Sequence, residues 1–269
     1  NQPVLATGHD MGPDAIQEGG VANTFRIEGD RLRWLGAVPS LGCSPNYSMI
    51  TADGRWLAVT HYRSTDDHGS LCLFSIDGEG RLGTASDRVV HPDRTRGDGS
   101  TGTMHAHCAV EDPTTGVVYV ADLGNDEIHR YRIDSRARKL LHLGANCTGD
   151  HTAPRHLALH PNGRALYANT ERGNTLQWYA IARDGSLALT GERPTLPPGF
   201  PGKNSTAGML LHPSLRWVLV SNRGHDSIAV FPLDPQTGTP GEPGWTPCGG
   251  HTPRSIALSP DGSLLAIAN

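Results

Sequence analysis

The fold is decided by a stretch that reads Ala153-Pro154-Arg155-His156-Leu157, continues through the turn Pro161-Asn162-Gly163-Arg164, and ends at Tyr167-Ala168-Asn169-Thr170-Glu171. It consists of a short apolar strand, a Pro/Gly turn, a second apolar strand and a polar end. Asn followed by Gly supplies the positive φ angles that a hairpin turn requires. Another copy contains His105-Ala106-His107-Cys108-Ala109-Val110, so the unit is repeated along the chain.

Two markers show the period of this repeat. Equivalent turns occur at Ala52–Arg55, Pro113–Gly116, Pro161–Arg164, Pro213–Arg216 and Pro260–Ser263. An aromatic residue with an aliphatic residue two places later also recurs about every 50 residues, which predicts a third strand with one buried face. The aromatic residues are Phe25, Phe74, Tyr131, Tyr179 and Phe231. Segments such as Leu140–Leu143 can supply a fourth strand.

Four antiparallel strands recurring at this period predict an all-β protein, a β-propeller of four-stranded blades. No long window shows helical periodicity, which argues against a two-domain α/β fold. We expect a single propeller domain over 1–269 with about five and a half blades. Because the sequence stops after two strands of a blade, this domain is expected to be incomplete at its C-terminus.

Composition excludes several classes of function. The chain has 269 residues and a formal net charge of -4, so neither a general nucleic-acid surface nor a polybasic membrane patch is expected. No apolar run approaches the roughly 20 residues that span a bilayer. Five cysteines without short spacing predict neither a disulfide framework nor a zinc cluster. This favours a reducing, cytoplasmic location, with an excised signal peptide as the alternative.

Polar residues occur where a blade repeat does not need them. The start of strand one and the end of strand two lie on the same face of a blade, near the propeller axis. The strand-one positions are Asn46, His107, Arg155, Ala207 and Arg254, and the strand-two positions are Glu171 and Arg223. We therefore expect His107, Arg155, Glu171 and Arg223, from three consecutive blades, to face one shared site.

This residue set fits hydrolysis of an ester or lactone without a metal ion or other cofactor. An imidazole and a carboxylate can transfer protons, and two guanidiniums can hold an anionic oxygen. Structural ion pairs across blades are the alternative interpretation. His105 and His107 have a spacing that also occurs in metal sites; His151, His156 and His160 could extend such a site or simply be hydrogen-bonded. Cys108 is expected in the core.

Four stretches resemble the seven-bladed β-propeller lactonase family of the 6-phosphogluconolactonase and carboxy-cis,cis-muconate lactonising enzyme type. They are His105–Cys108, Ala153–Pro161, Asn169–Glu171 and Ser221–Phe231, with weaker likeness at Ser44–Tyr47 and His251–Arg254. The resemblance implies seven blades when complete. It implies that His107, Arg155, Glu171 and Arg223 are catalytic. For substrate binding it points to Arg155 and Arg223, together with Arg254, His105, Asn46 and His225.

The function that this resemblance implies is hydrolysis of an anionic sugar lactone such as 6-phosphogluconolactone, as in the pentose phosphate pathway. The arginines would hold the anion, and His107 or Glu171 would activate water. Two alternatives stay open: a muconate-type lactonising cycloisomerase and a propeller that only binds a ligand or protein. The chain departs from the family at Ala207-Gly208-Met209-Leu210, where an acidic residue and a histidine are usual, and this departure favours the last alternative.

Overall fold

The computed structural model describes the backbone of residues 3–8 and the complete residues 19–63 and 68–269. All of the regular secondary structure assigned in these ranges is β-strand. The described residues contain no helix that is long and apolar enough to cross a membrane. The contacts divide the chain into two compact units, Asn1–Ala145 and Asn146–Asn269. The expectation of a single domain stays a prediction.

The first unit contains three antiparallel sheets and one short strand pair. Sheet one comprises β1 (Pro3–Gly8), β2 (Val21–Glu28) and β3 (Arg31–Pro39). Sheet two comprises β4 (Cys43–Ile50), β5 (Trp56–Arg63), β6 (Ser70–Ile76) and β7 (Leu82–Val89). The short pair is β8 (Arg94–Thr95) and β9 (Thr101–Gly102). Sheet three comprises β10 (Ala106–Asp112), β11 (Val117–Asp122), β12 (Glu127–Asp134) and β13 (Lys139–Cys147).

The second unit contains two four-stranded sheets and a strand pair, again antiparallel and in chain order. Sheet four comprises β14 (Pro154–Leu159), β15 (Ala165–Thr170), β16 (Thr175–Ile181) and β17 (Leu187–Pro194). Sheet five comprises β18 (Ser205–Leu211), β19 (Trp217–Arg223), β20 (Ser227–Pro232) and β21 (Gly244–Pro247). The last pair is β22 (Ser255–Leu258) and β23 (Leu265–Ala268).

The repeat predicted from the sequence is confirmed by these sheets. The five turn motifs join the first and second strands of their sheets, and the aromatic markers lie on β2, β6, β12, β16 and β20. Leu140–Leu143 lies on β13, the fourth strand of its sheet. The described sheets are thus the antiparallel units of up to four strands that the predicted blades require.

Apolar side chains from neighbouring sheets form the cores. In the first unit, Leu71 and Leu73 of β6 pack with Val118 and Tyr131 of sheet three. In the second unit, Tyr167 of β15 packs in one cluster with β18, β19 and β20. Burying this apolar surface is the main driving force for stacking one blade on the next.

The first strand of each complete sheet has the same irregularity. The register between strands one and two shifts between Pro45 and Tyr47 in β4, and between Ala106 and Cys108 in β10. It shifts again between Pro154 and Leu157 in β14 and between Thr206 and Met209 in β18. Such bulges redirect side chains out of the regular alternation. Asn46, His107, Arg155 and Ala207 all lie within these bulges.

Candidate functional site

The second unit brings three of the predicted catalytic residues together. Arg155 in the bulge of β14 donates a hydrogen bond from Nε to Oε2 of Glu171 at 2.9 Å. Arg223, the last residue of β19, places Nη2 at 2.9 Å from the same oxygen. The Arg155 side chain is only 4% exposed, whereas the Glu171 side chain is 23% exposed. One carboxylate therefore lies between two guanidiniums and reaches solvent.

The backbone around Glu171 determines its position. Its N–H donates to the Ala153 carbonyl at 2.7 Å, and its own carbonyl accepts from the Thr206 N–H at 3.1 Å. The hydroxyl of Thr206 donates to the Thr170 carbonyl at 2.9 Å. Asn169 bridges the same region because its amide Nδ2 donates to the Thr206 hydroxyl. The carboxylate is thus attached to backbone that is hydrogen-bonded on both sides.

The charges at this cluster do not balance. Arg155, Arg223 and Arg254 are close enough to influence one another, and Glu171 is the acidic partner of the first two. Burial lowers the pKa of Arg155 to about 10; Glu171 opposes this shift, and the charges of Arg223 and Arg254 reinforce it. A group of cations with one carboxylate attracts an anionic ligand.

The sequence leaves open whether His156 extends a metal site or is simply hydrogen-bonded, and the structure places its ring against Arg155 and Met209. Its Nε2 contacts Nη1 of Arg155 at 3.1 Å, and its Nδ1 accepts from the Met209 N–H at 3.3 Å. Burial, and then the charges of Arg155, Arg254 and Arg223, lower the pKa of His156 to about 3. It is therefore neutral, and because a neutral imidazole has one acceptor nitrogen, a ring whose Nδ1 accepts from Met209 packs beside the Arg155 guanidinium without accepting from it.

Arg223, Arg254 and His225 have distinct surroundings. Arg223 donates from Nη2 to the Thr206 carbonyl at 2.9 Å, which orients its guanidinium. Arg254 is exposed and directly precedes β22. The ring of His225 packs edge-on against Phe200, and its Nδ1 lies 2.7 Å from the Ser227 hydroxyl. None of the three is a core residue, so all three stay candidates for ligand binding.

The first unit holds the other predicted site residues. His105 Nδ1 lies 2.7 Å from the Tyr62 carbonyl oxygen, and its ring stacks on the Tyr62 ring with centroids 4.6 Å apart. His107 is buried and meets the same Tyr62 ring edge-on at 6.3 Å. Tyr62 was not singled out from the sequence, because no motif distinguishes it from a core tyrosine.

Asn46 connects two sheets of the first unit. Its Nδ2 donates to the Ala106 carbonyl at 3.1 Å, and its Oδ1 accepts from the Thr60 hydroxyl at 2.8 Å. The carbonyl it binds belongs to the residue directly before His107. Asn46 therefore helps to position the β10 bulge, a supporting role that stands beside the predicted contact with substrate.

The sequence matches the family described as "Lactonase, 7-bladed beta-propeller" over residues 4–269. The chain belongs to this lactonase family. It is 26% identical to a 6-phosphogluconolactonase of Formosa agariphila over 261 residues, which cover 94% of this chain and 72% of the relative. A 6-phosphogluconolactonase of Bacillus subtilis is 25% identical over 231 residues, covering 85% of this chain and 64% of the relative.

A solved structure extends the comparison. The periplasmic gluconolactonase PpgL of Pseudomonas aeruginosa superimposes with a TM-score of 0.89 and 26% identity, covering 100% of this chain and 75% of that one. The expected family, fold and enzyme class are thereby confirmed: the chain is a lactonase-family protein of the 6-phosphogluconolactonase type. The individual roles of the site residues stay predictions.

At Gly208, where the resemblance leads us to expect an acidic residue, the structure leaves no room for a side chain. A Cβ atom on Gly208 would lie 2.8 Å from Cγ1 of Ile256, closer than side chains pack. The Gly208 N–H donates to the Ser221 hydroxyl at 2.8 Å, which holds the backbone in place. Ile256 thus occupies the space that an acidic side chain would need.

Proposed function

We propose that this chain hydrolyses an anionic sugar lactone, with 6-phosphogluconolactone as the best candidate, without a catalytic metal ion. The observation that carries the proposal is the partly exposed Glu171 carboxylate between the Arg155 and Arg223 guanidiniums. The Formosa and Bacillus relatives are named for the phosphorylated lactone. The excess positive charge at this cluster favours a phosphorylated substrate over a neutral one.

The proposed reaction is addition of water to the lactone carbonyl. The water oxygen bonds to the carbonyl carbon, the ring C–O bond breaks, and the proton from water passes to the ring oxygen, which leaves as a hydroxyl. Glu171, or His107 by the family resemblance, accepts the proton from water. A guanidinium stabilises the negative oxygen that forms at the carbonyl. The product is the open-chain hydroxy acid.

The proposed division of roles follows from burial and hydrogen bonding. Arg155 is buried and its Nε is bound to Glu171, so it suits the reacting centre. Arg223 and Arg254 are more exposed and suit the phosphate group. His107 is assigned to proton transfer by the resemblance and by its place in the β10 bulge.

The test is hydrolysis of freshly generated 6-phosphogluconolactone by the full chain, treated with chelator, beside unphosphorylated gluconolactone. His107→Ala and Glu171→Gln are measured in parallel, with Arg172→Ala as the control because Arg172 is an exposed neighbour of Glu171. We expect chelator-resistant turnover in the wild type and in Arg172→Ala. Each of the other two variants should lose about 100-fold or more in kcat with an unchanged circular dichroism spectrum.

Two results would contradict this proposal. Unchanged turnover in His107→Ala would remove that residue from the mechanism. No turnover of either lactone above the spontaneous rate would overturn the hydrolase assignment and direct the next assays to muconate cyclisation and then to ligand binding. Fractionation of the producing cell would test the proposed cytoplasmic location against the periplasm, the compartment named for the Pseudomonas relative.

A further inference from the structure

A group of metal-ligating side chains lies in the first unit and has no part in the proposed hydrolysis. His91 follows β7, Asp122 ends β11 and His129 lies on β12. All three are buried, and one possible ligand atom from each lies within 4.8 Å of the others. Residues so far apart in the sequence gave no metal-site motif.

The Asp122 carboxylate is held so that one oxygen faces the imidazoles. Oδ1 accepts hydrogen bonds from three backbone N–H groups, those of His105, Gly124 and Asn125. Oδ2 lies 2.7 Å from Nδ1 of His91 and 3.8 Å from Nε2 of His129, and it also accepts from Nδ2 of Asn125. Asp122 is wholly buried, so it needs positive partners nearby.

The two imidazoles are supported on their far sides. Nε2 of His91 lies 2.5 Å from the Tyr131 hydroxyl, and Nδ1 of His129 lies 3.1 Å from Nε2 of His142. Metal-binding histidines commonly form such a hydrogen bond through the nitrogen that does not bind the metal, which sets the tautomer. The support leaves Nδ1 of His91 and Nε2 of His129 as the atoms nearest Asp122.

Nε2 of His129 has an unusual environment. It is buried and makes no well-directed hydrogen bond, although Oε2 of Glu127 lies 3.2 Å away and Oδ2 of Asp122 lies 3.8 Å away. A buried nitrogen between two carboxylates is a place where a cation would satisfy three groups at once.

We propose that His91, Asp122 and His129 bind a divalent transition-metal ion of the zinc class, with Glu127 as a further carboxylate ligand. Imidazole and carboxylate donors suit Zn²⁺, whereas Ca²⁺ and Mg²⁺ prefer oxygen donors alone. The rings of His91 and His129 are stacked with centroids 3.4 Å apart, so binding requires them to turn until both nitrogens face the ion. A surface depression lined by His68, Val90, His91, Pro92 and Asp93 lies next to this group.

The ion would have a structural role. His91 lies in the connection after β7, whereas Asp122 and His129 lie on adjacent strands of sheet three. A shared ion therefore ties that connection to sheet three and stabilises the folded state, because the site exists only when these segments are assembled.

The test is titration of the chelator-stripped full chain with Zn²⁺ by isothermal titration calorimetry, with Co²⁺ as a spectroscopic probe. We expect one Zn²⁺ per chain, a visible Co²⁺ absorption band, and a higher melting temperature with Zn²⁺. His129→Gln should weaken the affinity by about 100-fold, and His142→Gln by about tenfold because it removes only the supporting partner. The control is His251→Gln, since the side chain of His251 is 92% exposed.

Equal affinity for Zn²⁺ in the wild type and His129→Gln would overturn the proposal, as would a folded wild type that binds no Zn²⁺. Circular dichroism of the metal-free variants shows whether they fold. If His129→Gln does not fold, His142→Gln decides, and unchanged affinity in that variant overturns the site. Lactone turnover measured on the same samples keeps this result separate from the hydrolase assignment.

Discussion

The turn after β11 in the first unit and the turn after β15 in the second share a left-handed residue at the same position but present different side chains. Asp126 and Asn174 take the left-handed conformation at the same place, with φ angles of 59° and 54°. The residue that directly follows the strand is buried Leu123 in the first turn and the partly exposed Glu171 in the second. The turn that folds the blade is therefore independent of the side chain it presents.

The carboxylates near these two turns show what that difference means. Asp122, the last residue of β11, accepts hydrogen bonds from three backbone N–H groups. Its side chain is fully buried, so all of its hydrogen-bond partners are protein groups. Glu171 forms ion pairs with two guanidiniums, those of Arg155 and Arg223, and its side chain is partly exposed to solvent. A wholly enclosed carboxylate anchors structure, whereas one between cations at the surface can exchange a partner for substrate.

The strongest test of this comparison is the pair Glu171→Gln and Asp122→Asn. Glu171→Gln should lower kcat by about 100-fold or more and cost less than about 2 kcal/mol of stability, because water can reach the position. Asp122→Asn should cost about 3 kcal/mol, because the amide places N–H donors where only an acceptor is satisfied. Urea unfolding in the presence of chelator measures both stabilities. Equal losses of stability would contradict the distinction between the two carboxylates.

Much of the fold could be predicted because each blade repeats its own signals. Phe74 and Tyr179 both mark third strands, and each turn motif joins strands one and two. The position of Glu171 at the end of strand two followed from the same count. Tyr62 could not be predicted, since its contacts with His105 and His107 depend on the bulge of β10, which no motif indicates.

The next largest effect concerns acid stability in both units. Burial lowers the pKa of His61 to about 4 in the first unit, and burial with nearby arginines lowers that of His156 to about 3 in the second. Both rings stay neutral in the folded protein while the unfolded chain binds protons below about pH 6.5. The contribution of these rings to the free energy of unfolding is therefore fully present above that pH. It falls towards pH 4 by up to about 1.4 kcal/mol per pH unit for each ring.

Chemical denaturation at pH 7, 6 and 5 would measure this dependence. His61→Gln and His156→Gln should each remove the contribution of one imidazole to the slope of unfolding free energy against pH. Identical slopes in the wild type and both buried-site variants would show that these rings do not govern acid unfolding.

A smaller effect, on KM, is expected for Arg223→Ala. This variant distinguishes the role of the Arg223 guanidinium from that of Arg155. Arg155 keeps its bond to Glu171 in this variant, so the reacting centre is preserved. KM for the phosphorylated lactone should rise by about tenfold, equivalent to about 1.4 kcal/mol, with little change for the neutral lactone. Arg172→Ala removes the same charge from an exposed neighbour and serves as control. Equal changes for both lactones would count against a phosphate-binding role.

The proposed metal site at His91, Asp122 and His129 could not be predicted from the sequence. A short spacing such as His105-x-His107 is the sequence pattern that indicates a metal site. The structure directs both of those rings to Tyr62. The ligand-like atoms that do converge belong to His91, Asp122 and His129, which only the packing of sheet three against the preceding connection brings together.

The smallest predicted effect compares two glycines in strands of the second unit. Gly208→Ala should cost about 1 kcal/mol or slightly more, because its Cβ would lie 2.8 Å from Cγ1 of Ile256. Gly244→Ala is the control, since no atom lies within 4 Å of a Cβ there. Thermal unfolding of both variants measures the difference.

A double-mutant cycle shows whether Ile256 is the cause. Ile256→Ala removes the atom that Gly208 would meet, so the cost of Gly208→Ala should fall by about 0.5–1 kcal/mol in that background. An unchanged cost would shift the explanation to the hydrogen bond from Gly208 N–H to Ser221. If the cost falls, packing from β22 explains why the β18 bulge has no room for a side chain at position 208.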